Sequence, residues 1–336
     1  RVKARVKAHA LKEFMNTKEK VVVMGHRLPD ADSFGAAIGI YRAAKTLNKK
    51  AYIVIDNPTS SIIPLMNTFR DNQDYEADMF VNNHEAKEIM DDNTLLVVVD
   101  TNKPSITQCE DLLYMAKMIV VLDHHRQGSD TIRNSVLSYI EPYASSASEM
   151  VAEILQYFTE GIRIRNVEAD SIYAGIMIDT DNFMQKTGVR TFEAAAFLRR
   201  CGADVTRVRK LFREDMNDYK ARGETIRNAE LFRGQFAISE CPSDYVDSPT
   251  VVGAQAANEL LNIVGVKASF VLTEYKGVIY ISARAIDEVN VQIIMERMGG
   301  GGHLNMAGCQ LETVNMEGAR NLLKSTLTEM QDGGEI

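Results

Sequence analysis

Three valine-rich apolar runs along the chain each stop abruptly at a polar cluster. Val21–Met24 runs into Gly25-His26-Arg27-Leu28-Pro29-Asp30-Ala31-Asp32, Leu95–Val99 into Asp100, and Met118–Leu122 into Asp123-His124-His125-Arg126. Continuous apolar runs of this length predict strands buried on both faces of a parallel sheet. Ligands of such sheets gather outside the carboxyl ends of the strands. Three clusters at three strand ends therefore predict one shared site. From Lys20 to about Tyr143 the runs alternate with helical segments, such as Ala36–Leu47, and a further apolar run lies at Ala51–Ile55. This alternation predicts an α/β fold, a doubly wound and mainly parallel sheet.

From Ser145 to about Ala229 the pattern turns helical. Ser145-Ser146 is placed to cap a helix through Glu149, Met150, Ile154, Leu155 and Phe158. Val205 to Glu230, charged and poor in Gly and Pro, reads as a helix or helix pair joining two domains. Beyond Leu231, Phe232–Ile238 and Ala268–Ala285 read as strands, with helices at Val251–Val264, Val289–Met298 and Glu317–Met330. That texture predicts a second, smaller mixed α/β domain. A length of 336 residues also favours two domains over one core. The expected division is a metal-binding catalytic domain over 1–190, a helical linker over 191–230 and a substrate-binding domain over 231–336.

Composition narrows the function. Hydrophobic content of 45% and charged content of 25% are those of a soluble globular protein. A net charge of −8 argues against broad nucleic-acid binding through phosphate neutralisation, yet leaves room for a short nucleotide held by a few placed cations. Cys109, Cys201, Cys241 and Cys309 are scattered and form no CxxC pair, so reduced thiols are expected. No apolar run approaches the ~20 residues that span a bilayer, and no secretory signal is visible. The opening Arg1-Val2-Lys3-Ala4-Arg5-Val6-Lys7-Ala8-His9 reads as the interior of a longer protein.

The polar clusters have the chemistry of metal ligands. Pro29 breaks any helix after the first strand, and residues two apart in extended chain point the same way. Asp30 and Asp32 are thus expected to face one point with His26 beside them, the alternative being a capped turn with exposed aspartates. Ser33 then opens a helix whose N-terminus favours anions. Asp100, taken alone, reads equally as a turn carboxylate. Asp123-His124-His125 has little packing logic at the end of a buried strand, whereas a carboxylate beside a histidine orients a ligand. Over Ser171–Phe183, Ile172, Ile176, Asp179 and Phe183 share a helical face, and a carboxylate on an apolar stripe is costly unless it is paired or bound to a cation, which favours a functional reading; Asp181 is the neighbouring alternative. His9 and His84 lie in polar surroundings and read as surface residues.

Two histidines and four aspartates are too many ligands for one ion. They suit two metals sharing a carboxylate, roughly 3.5–4 Å apart. Mixed imidazole and carboxylate ligation points to two Mn2+, with Co2+ or Fe2+ as alternatives and Mg2+ less natural. Farther on, Gly299-Gly300-Gly301-Gly302-His303 follows an amphipathic helix carrying Val291, Ile294, Met295 and Met298. One glycine suffices for a helix C-cap, so the longer run predicts a backbone nest for an anion. In Val278–Arg284 the alternation sets Tyr280, Ser282 and Arg284 on one face, suited to stack a base and fork onto a phosphate.

In their order, His26-x-x-x-Asp30-x-Asp32, Asp100, Asp123-His124-His125 and Asp179 resemble the four signatures of the DHH phosphoesterases, and Gly299–His303 is similar to the glycine-rich motif of the associated DHHA1 domain. The resemblance covers nearly the whole chain. The opening Lys3–Leu11 and Asp123–Arg126 are similar to the catalytic half of cyclic-di-AMP phosphodiesterases of the GdpP type, which are membrane-anchored with sensor domains upstream. The resemblance implies one metal on His26, Asp30 and Asp100, and a second on Asp32, Asp100, His124 and Asp179, with Asp123 orienting His124 from behind. It implies catalytic roles for His125, Asp100 and Arg126. It further implies substrate contacts by Arg284, Ser282, Gly300, Gly301, Gly302 and His303. Leu304–Gly308 departs from the commonest DHHA1 form in being less alanine-rich.

The implied activity is hydrolysis of cyclic-di-AMP to linear 5′-pApA by hydroxide attack on phosphorus. The alternatives are a hydrolase of short linear oligonucleotides or pyrophosphate anhydrides, and a catalytically silent nucleotide sensor. The expected partners are a cyclic dinucleotide and a second copy of the chain in a homodimer, with no long nucleic acid and no membrane contact by this segment. The segment is expected to be the cytoplasmic part of an anchored bacterial protein.

Overall fold

The computed structural model describes residues 2–286 and 288–336; Arg1 of the opening segment and Asp287 lie outside the described residues. The chain divides after Arg213 into two compact units, each with its own sheet. Among the described residues no helix is long and apolar enough to cross a membrane.

The first unit begins with α1 (Val2–Asn16), whose Ala4, Ala8, Leu11 and Met15 form a buried stripe at helical spacing. There follow β1 (Lys20–Met24), α2 (Ala31–Thr46), β2 (Lys50–Val54), α3 (Ile63–Arg70), β3 (Phe80–Val81) and α4 (Asn83–Ile89). Next come β4 (Thr94–Val99), α5 (Asp111–Met115), β5 (Met118–Asp123) and β6 (Leu137–Ile140). The unit closes with α6 (Ala147–Phe158), α7 (Asn166–Asp179), α8 (Val189–Arg200) and α9 (Val205–Leu211). All neighbouring strands run parallel in the order β3-β2-β1-β4-β5-β6. Every residue of β4 is buried, as its unbroken apolar run predicts for a central strand covered on both faces. The order reverses between β1 and β4, and at such a reversal the flanking loops diverge and leave a crevice at the carboxyl ends.

Three helices on one face pack backbone to backbone. A Cβ on Gly35 of α2 would lie 2.5 Å from the Ser171 carbonyl and 2.7 Å from Ser148 Oγ. A Cβ on Gly39 would lie 2.3 Å from Val151, and one on Gly175 of α7 2.2 Å from Ser148 Oγ. These glycines let α2, α6 and α7 approach closely.

Two local expectations change. The helix after β1 starts at Ala31, with Asp30 as its N-cap in a capping box with Ser33, so Asp30 and Asp32 are not two residues of extended chain. The helix bearing Asp179 ends at that residue. Asp181, Asn182 and Phe183 have φ values of 48°, 56° and 65°, which take Phe183 off the helical face.

The second unit contains α10 (Met216–Arg227), β7 (Glu230–Phe232), β8 (Phe236–Cys241), α11 (Pro249–Leu260), β9 (Ala268–Tyr275) and β10 (Val278–Ala285). It ends with α12 (Val291–Arg297), β11 (Gly301–His303), β12 (Met306–Leu311) and α13 (Met316–Asp332). Its sheet has the order β11-β12-β10-β9-β8-β7, antiparallel except for the β8–β9 pair. Ile279, Ile281 and Ala283 of β10 enter a core with Ile294, Met295, Leu323 and Leu327 from α12 and α13.

Candidate metal centre

The crevice between β1 and β4 is where the ligand-bearing residues converge. His26 leaves β1 on a segment stitched to the loop after β4: Arg27 N–H donates to the Ile106 carbonyl, and Gln108 N–H to that of Gly25. His26 Nε2 lies 3.2 Å from Asp100 Oδ2 and 3.5 Å from Asp30 Oδ2. Asp100 follows β4 directly and is buried, in the left-handed region at φ 58°, which a short polar side chain tolerates. Its other oxygen, Oδ1, lies 3.3 Å from His124 Nε2.

His124 Nε2 in turn lies 3.7 Å from Asp32 Oδ2 and 3.7 Å from Asp179 Oδ2. Asp32 is fully desolvated and anchored from outside the cluster. The backbone N–H groups of Ala147 and Ser148, opening α6, donate to its two oxygens at 2.7 Å each. These helix-N-terminal amides fix both oxygens and favour negative charge there, against burial and the neighbouring carboxylates. The glycine-mediated approach of α2, α6 and α7 is what brings Asp32, these amides and Asp179 together.

Three overlapping groups of potential ligand atoms result, each within 4.8 Å: His26 with Asp30 and Asp100; Asp32 with His124 and Asp179; and Asp100 with His124 and His125. The protonation energetics reflect carboxylates crowded around two imidazoles in a buried cluster. Burial lowers the pKa of His26, but hydrogen bonds to Asp100 and Asp30 overcome it and push the value to about 10. Burial likewise lowers that of His124, and the close Asp100 carboxylate with the charges of Asp32 and Asp179 lifts it to about 9. Burial and the neighbouring carboxylates raise Asp179 to about 6 and push Asp32 well above the ordinary carboxylate range. Asp30 moves downward: burial opposes this, and the His26 hydrogen bond and the Ser33 cap prevail. Among the described residues, two buried carboxylate oxygens, Asp100 Oδ1 and Asp179 Oδ2, have no hydrogen-bond donor. Orphaned anionic oxygens facing imidazoles in a buried cluster fit divalent cations, which would satisfy them.

Asp123 corrects the expectation attached to it. Its Oδ1 lies 2.8 Å from His125 Nδ1 and also accepts the His125 backbone N–H at 3.1 Å, so the ring it orients is that of His125, not His124. Its Oδ2 accepts from Asn102 Nδ2 at 2.5 Å. Asn102, buried two residues beyond Asp100, is a site residue that the sequence reading missed; its position in Thr101-Asn102-Lys103-Pro104, just past a ligand-bearing strand end, is the signal that could have found it. The His125 side chain is 58% exposed, and Arg126 is exposed.

In the second unit the glycine run forms a strand, not an open nest. Gly299 N–H and Gly300 N–H return to the carbonyls of Glu296 and Met295, a Schellman close to α12. Gly301–His303 then pairs with Met306–Gly308. A Cβ at Gly300 would sit 2.1 Å from the Gly308 carbonyl and one at Gly302 2.5 Å from Ala307 Cα, so hairpin contact explains both glycines. His303 is exposed. Ser282 and Arg284 lie on one face of β10. Arg284 is mostly buried; its Nη1 donates to the Ala283 carbonyl, its Nε has no partner among the described residues, and burial lowers its pKa.

The chain matches the model of the DHH family, N-terminal domain, over residues 20–176, and that of the DHHA1 domain over residues 236–329. It is 43% identical to the cyclic-di-AMP phosphodiesterase GdpP of Bacillus subtilis, over 99% of this chain and 51% of that protein. It is 39% identical to the cyclic-di-AMP phosphodiesterase PdeA of Listeria monocytogenes, over 97% of this chain and 50% of that protein. The chain thus spans about half the length of these curated relatives. A crystal structure of an exopolyphosphatase-related protein from Bacteroides fragilis shares the fold with a TM-score of 0.81 at 20% identity, covering 97% of each chain.

Proposed function

Because this chain belongs to the DHH family and carries a DHHA1 domain, we propose that it is the catalytic part of a phosphodiesterase that opens cyclic-di-AMP to linear 5′-pApA. The observation that carries the reading is Asp100. It is a buried carboxylate at the sheet's switch point, with one oxygen facing His26 and the other, without a hydrogen-bond donor among the described residues, facing His124. That is the placement of a ligand shared by two cations. His26, Asp30 and Asp100 would hold one ion, and Asp32, Asp100, His124 and Asp179 the other. Two divalent cations, Mn2+ being favoured by the donor set, would acidify water and neutralise charge at phosphorus. The substrates named for the 43% and 39% identical relatives support the choice of a cyclic dinucleotide.

The chain's own residues supply the rest. Asp123 accepts from Nδ1 of His125 and supports its imidazolium form; Nε2–H, which has no partner among the described residues, would pass its proton to the departing 3′-oxygen and leave the ring neutral. Asn102 keeps Asp123 from turning. Arg126 offers an exposed guanidinium to phosphate. Substrate contacts in the second unit are assigned to Ser282, Arg284, Gly300, Gly301, Gly302 and His303. We read the parent protein as membrane-anchored, with this part cytoplasmic and working as a homodimer, which light scattering on the purified chain tests.

Purified chain with Mn2+ is expected to convert cyclic-di-AMP to 5′-pApA in preference to linear oligonucleotides and pyrophosphate. Asp30→Ala is expected to abolish turnover. Full activity in that variant, or no turnover of any cyclic dinucleotide by the unaltered chain, would reject the assignment.

A further inference from the structure

Behind the metal ligands of the first unit lies a buried hydrogen-bond network centred on Glu149. This residue sits in the first turn of α6 and is 1% exposed. Ser146 caps the helix by accepting from the Glu149 N–H at 3.0 Å. In a capping box the Glu149 carboxylate would answer by accepting from the Ser146 N–H. Here it reaches one residue farther. Its Oε2 accepts from the Ser145 N–H at 3.2 Å and from Ser145 Oγ at 2.5 Å. The same oxygen accepts from Thr191 Oγ1, in the first turn of α8, at 2.6 Å. Ser145, Ser146 and Thr191 are all buried.

Both arms of the network lead to a carboxylate of the second cation's ligand set. On one side, Ser145 and Ser146 run directly into Ala147 and Ser148, whose N–H groups hold the two oxygens of Asp32. On the other, Thr191 Oγ1 accepts from the Gly188 N–H at 3.1 Å, which ties down the far end of the loop that leaves Asp179. The near end of that loop closes on Thr180, whose carbonyl accepts from the N–H groups of Met184 and Gln185. One turn beyond Glu149, the Glu153 carboxylate accepts two bonds from Arg190, at 2.7 and 2.6 Å, and fixes α8 against α6. Ser146 alone would cap α6. The added reach of Glu149 instead joins the turn that holds Asp32 to the loop that follows Asp179, while Glu149 itself touches neither. Removing its carboxylate would leave three buried donors short of an acceptor, so both arms would shift to find new partners.

We propose that Glu149 is a positioning residue for the second cation, setting Asp32 against Asp179 through the Ser145 turn and through Thr191. The inference rests on the reading of the crevice as a two-cation centre. Titration with Mn2+ followed by electron paramagnetic resonance distinguishes lone from paired ions. Glu149→Ala should weaken binding of the second ion by about 10–100-fold and leave the first, on His26, Asp30 and Asp100, unchanged. Thr191→Val keeps the shape and loses the hydroxyl; it should act in the same direction more weakly, and Thr191→Ser should restore pairing. In chelator, amide hydrogen exchange at residues 147 and 148 should quicken in Glu149→Ala and Thr191→Val. Tyr75→Phe supplies the contrast, since it removes a bond to the buried Glu168 near the opposite end of α7 from Asp179. That variant should lower the melting temperature and change neither ion. Equal weakening of both ions, or unaltered pairing and exchange in a folded Thr191→Val chain, overturns the role of Glu149. A single ion in the unaltered chain would instead reject the two-cation centre on which that role depends.

Discussion

Asp123 Oδ1 lies 2.8 Å from His125 Nδ1, and the carboxylate's other oxygen is held by Asn102. An amide in its place offers one acceptor oxygen where three donors converge on two, and a histidine held in the wrong tautomer or angle transfers protons poorly. Asp123→Asn should therefore lower kcat by about 10²-fold or more with metal content unchanged. Steady-state kinetics beside elemental analysis separates this outcome from loss of the metals, which would instead return Asp123 to a role at His124.

Asp100→Asn should empty the centre without unfolding it. Asparagine tolerates the left-handed backbone that Asp100 adopts, and losing this charge relieves its repulsion of Asp32 and Asp179. Elemental analysis should find both ions lost together, while circular dichroism in chelator still shows a folded chain. Retention of one full equivalent of metal would show that the carboxylate is not shared.

The metal-free chain should lose stability as pH rises. A group whose pKa is higher folded than unfolded stabilises the fold below its unfolded value, and that contribution vanishes as pH climbs through the folded value. Asp179, raised to about 6, acts above pH 4. His124 and His26, raised to about 9 and about 10, act from pH 6.5 upward. All three shifts share one sign. Melting temperature in chelator should fall from pH 5 to pH 10, and Mn2+ should flatten or reverse the slope, since cations replace the protons. A metal-free chain most stable near pH 9 would contradict the assignment.

Gly35→Ala tests the helix contacts behind the ligands. The added methyl would press on the Ser171 carbonyl and Ser148 Oγ. Overpacking of this kind costs about 1–3 kcal/mol, and here it also pushes on the α6 turn whose amides hold Asp32. Both melting temperature and Mn2+ affinity should drop, whereas Gly128→Ala, in open space, should change neither.

What the sequence disclosed followed from strong local signals. The runs before Gly25, Asp100 and Asp123 are purely apolar because their strands are covered on both faces, so the strand ends were legible. Partners made only by tertiary contact were not: nothing local to Asp32 announces the amides of residues 147 and 148. The spacing of Phe183 fits a helix, but three successive left-handed residues are invisible to periodicity. The glycine run had no side-chain alternation to reveal a strand, and its pairing with Met306–Gly308 is what defines it as one.

The ligands of the crevice come from sequence positions 26 through 179, joined only where β1, β4, β5 and α7 meet. No shorter stretch of nascent polypeptide contains the whole set. The candidate centre is therefore assembled only once α7 has emerged and docked, and a chain that stops short of residue 179 lacks one of its carboxylates.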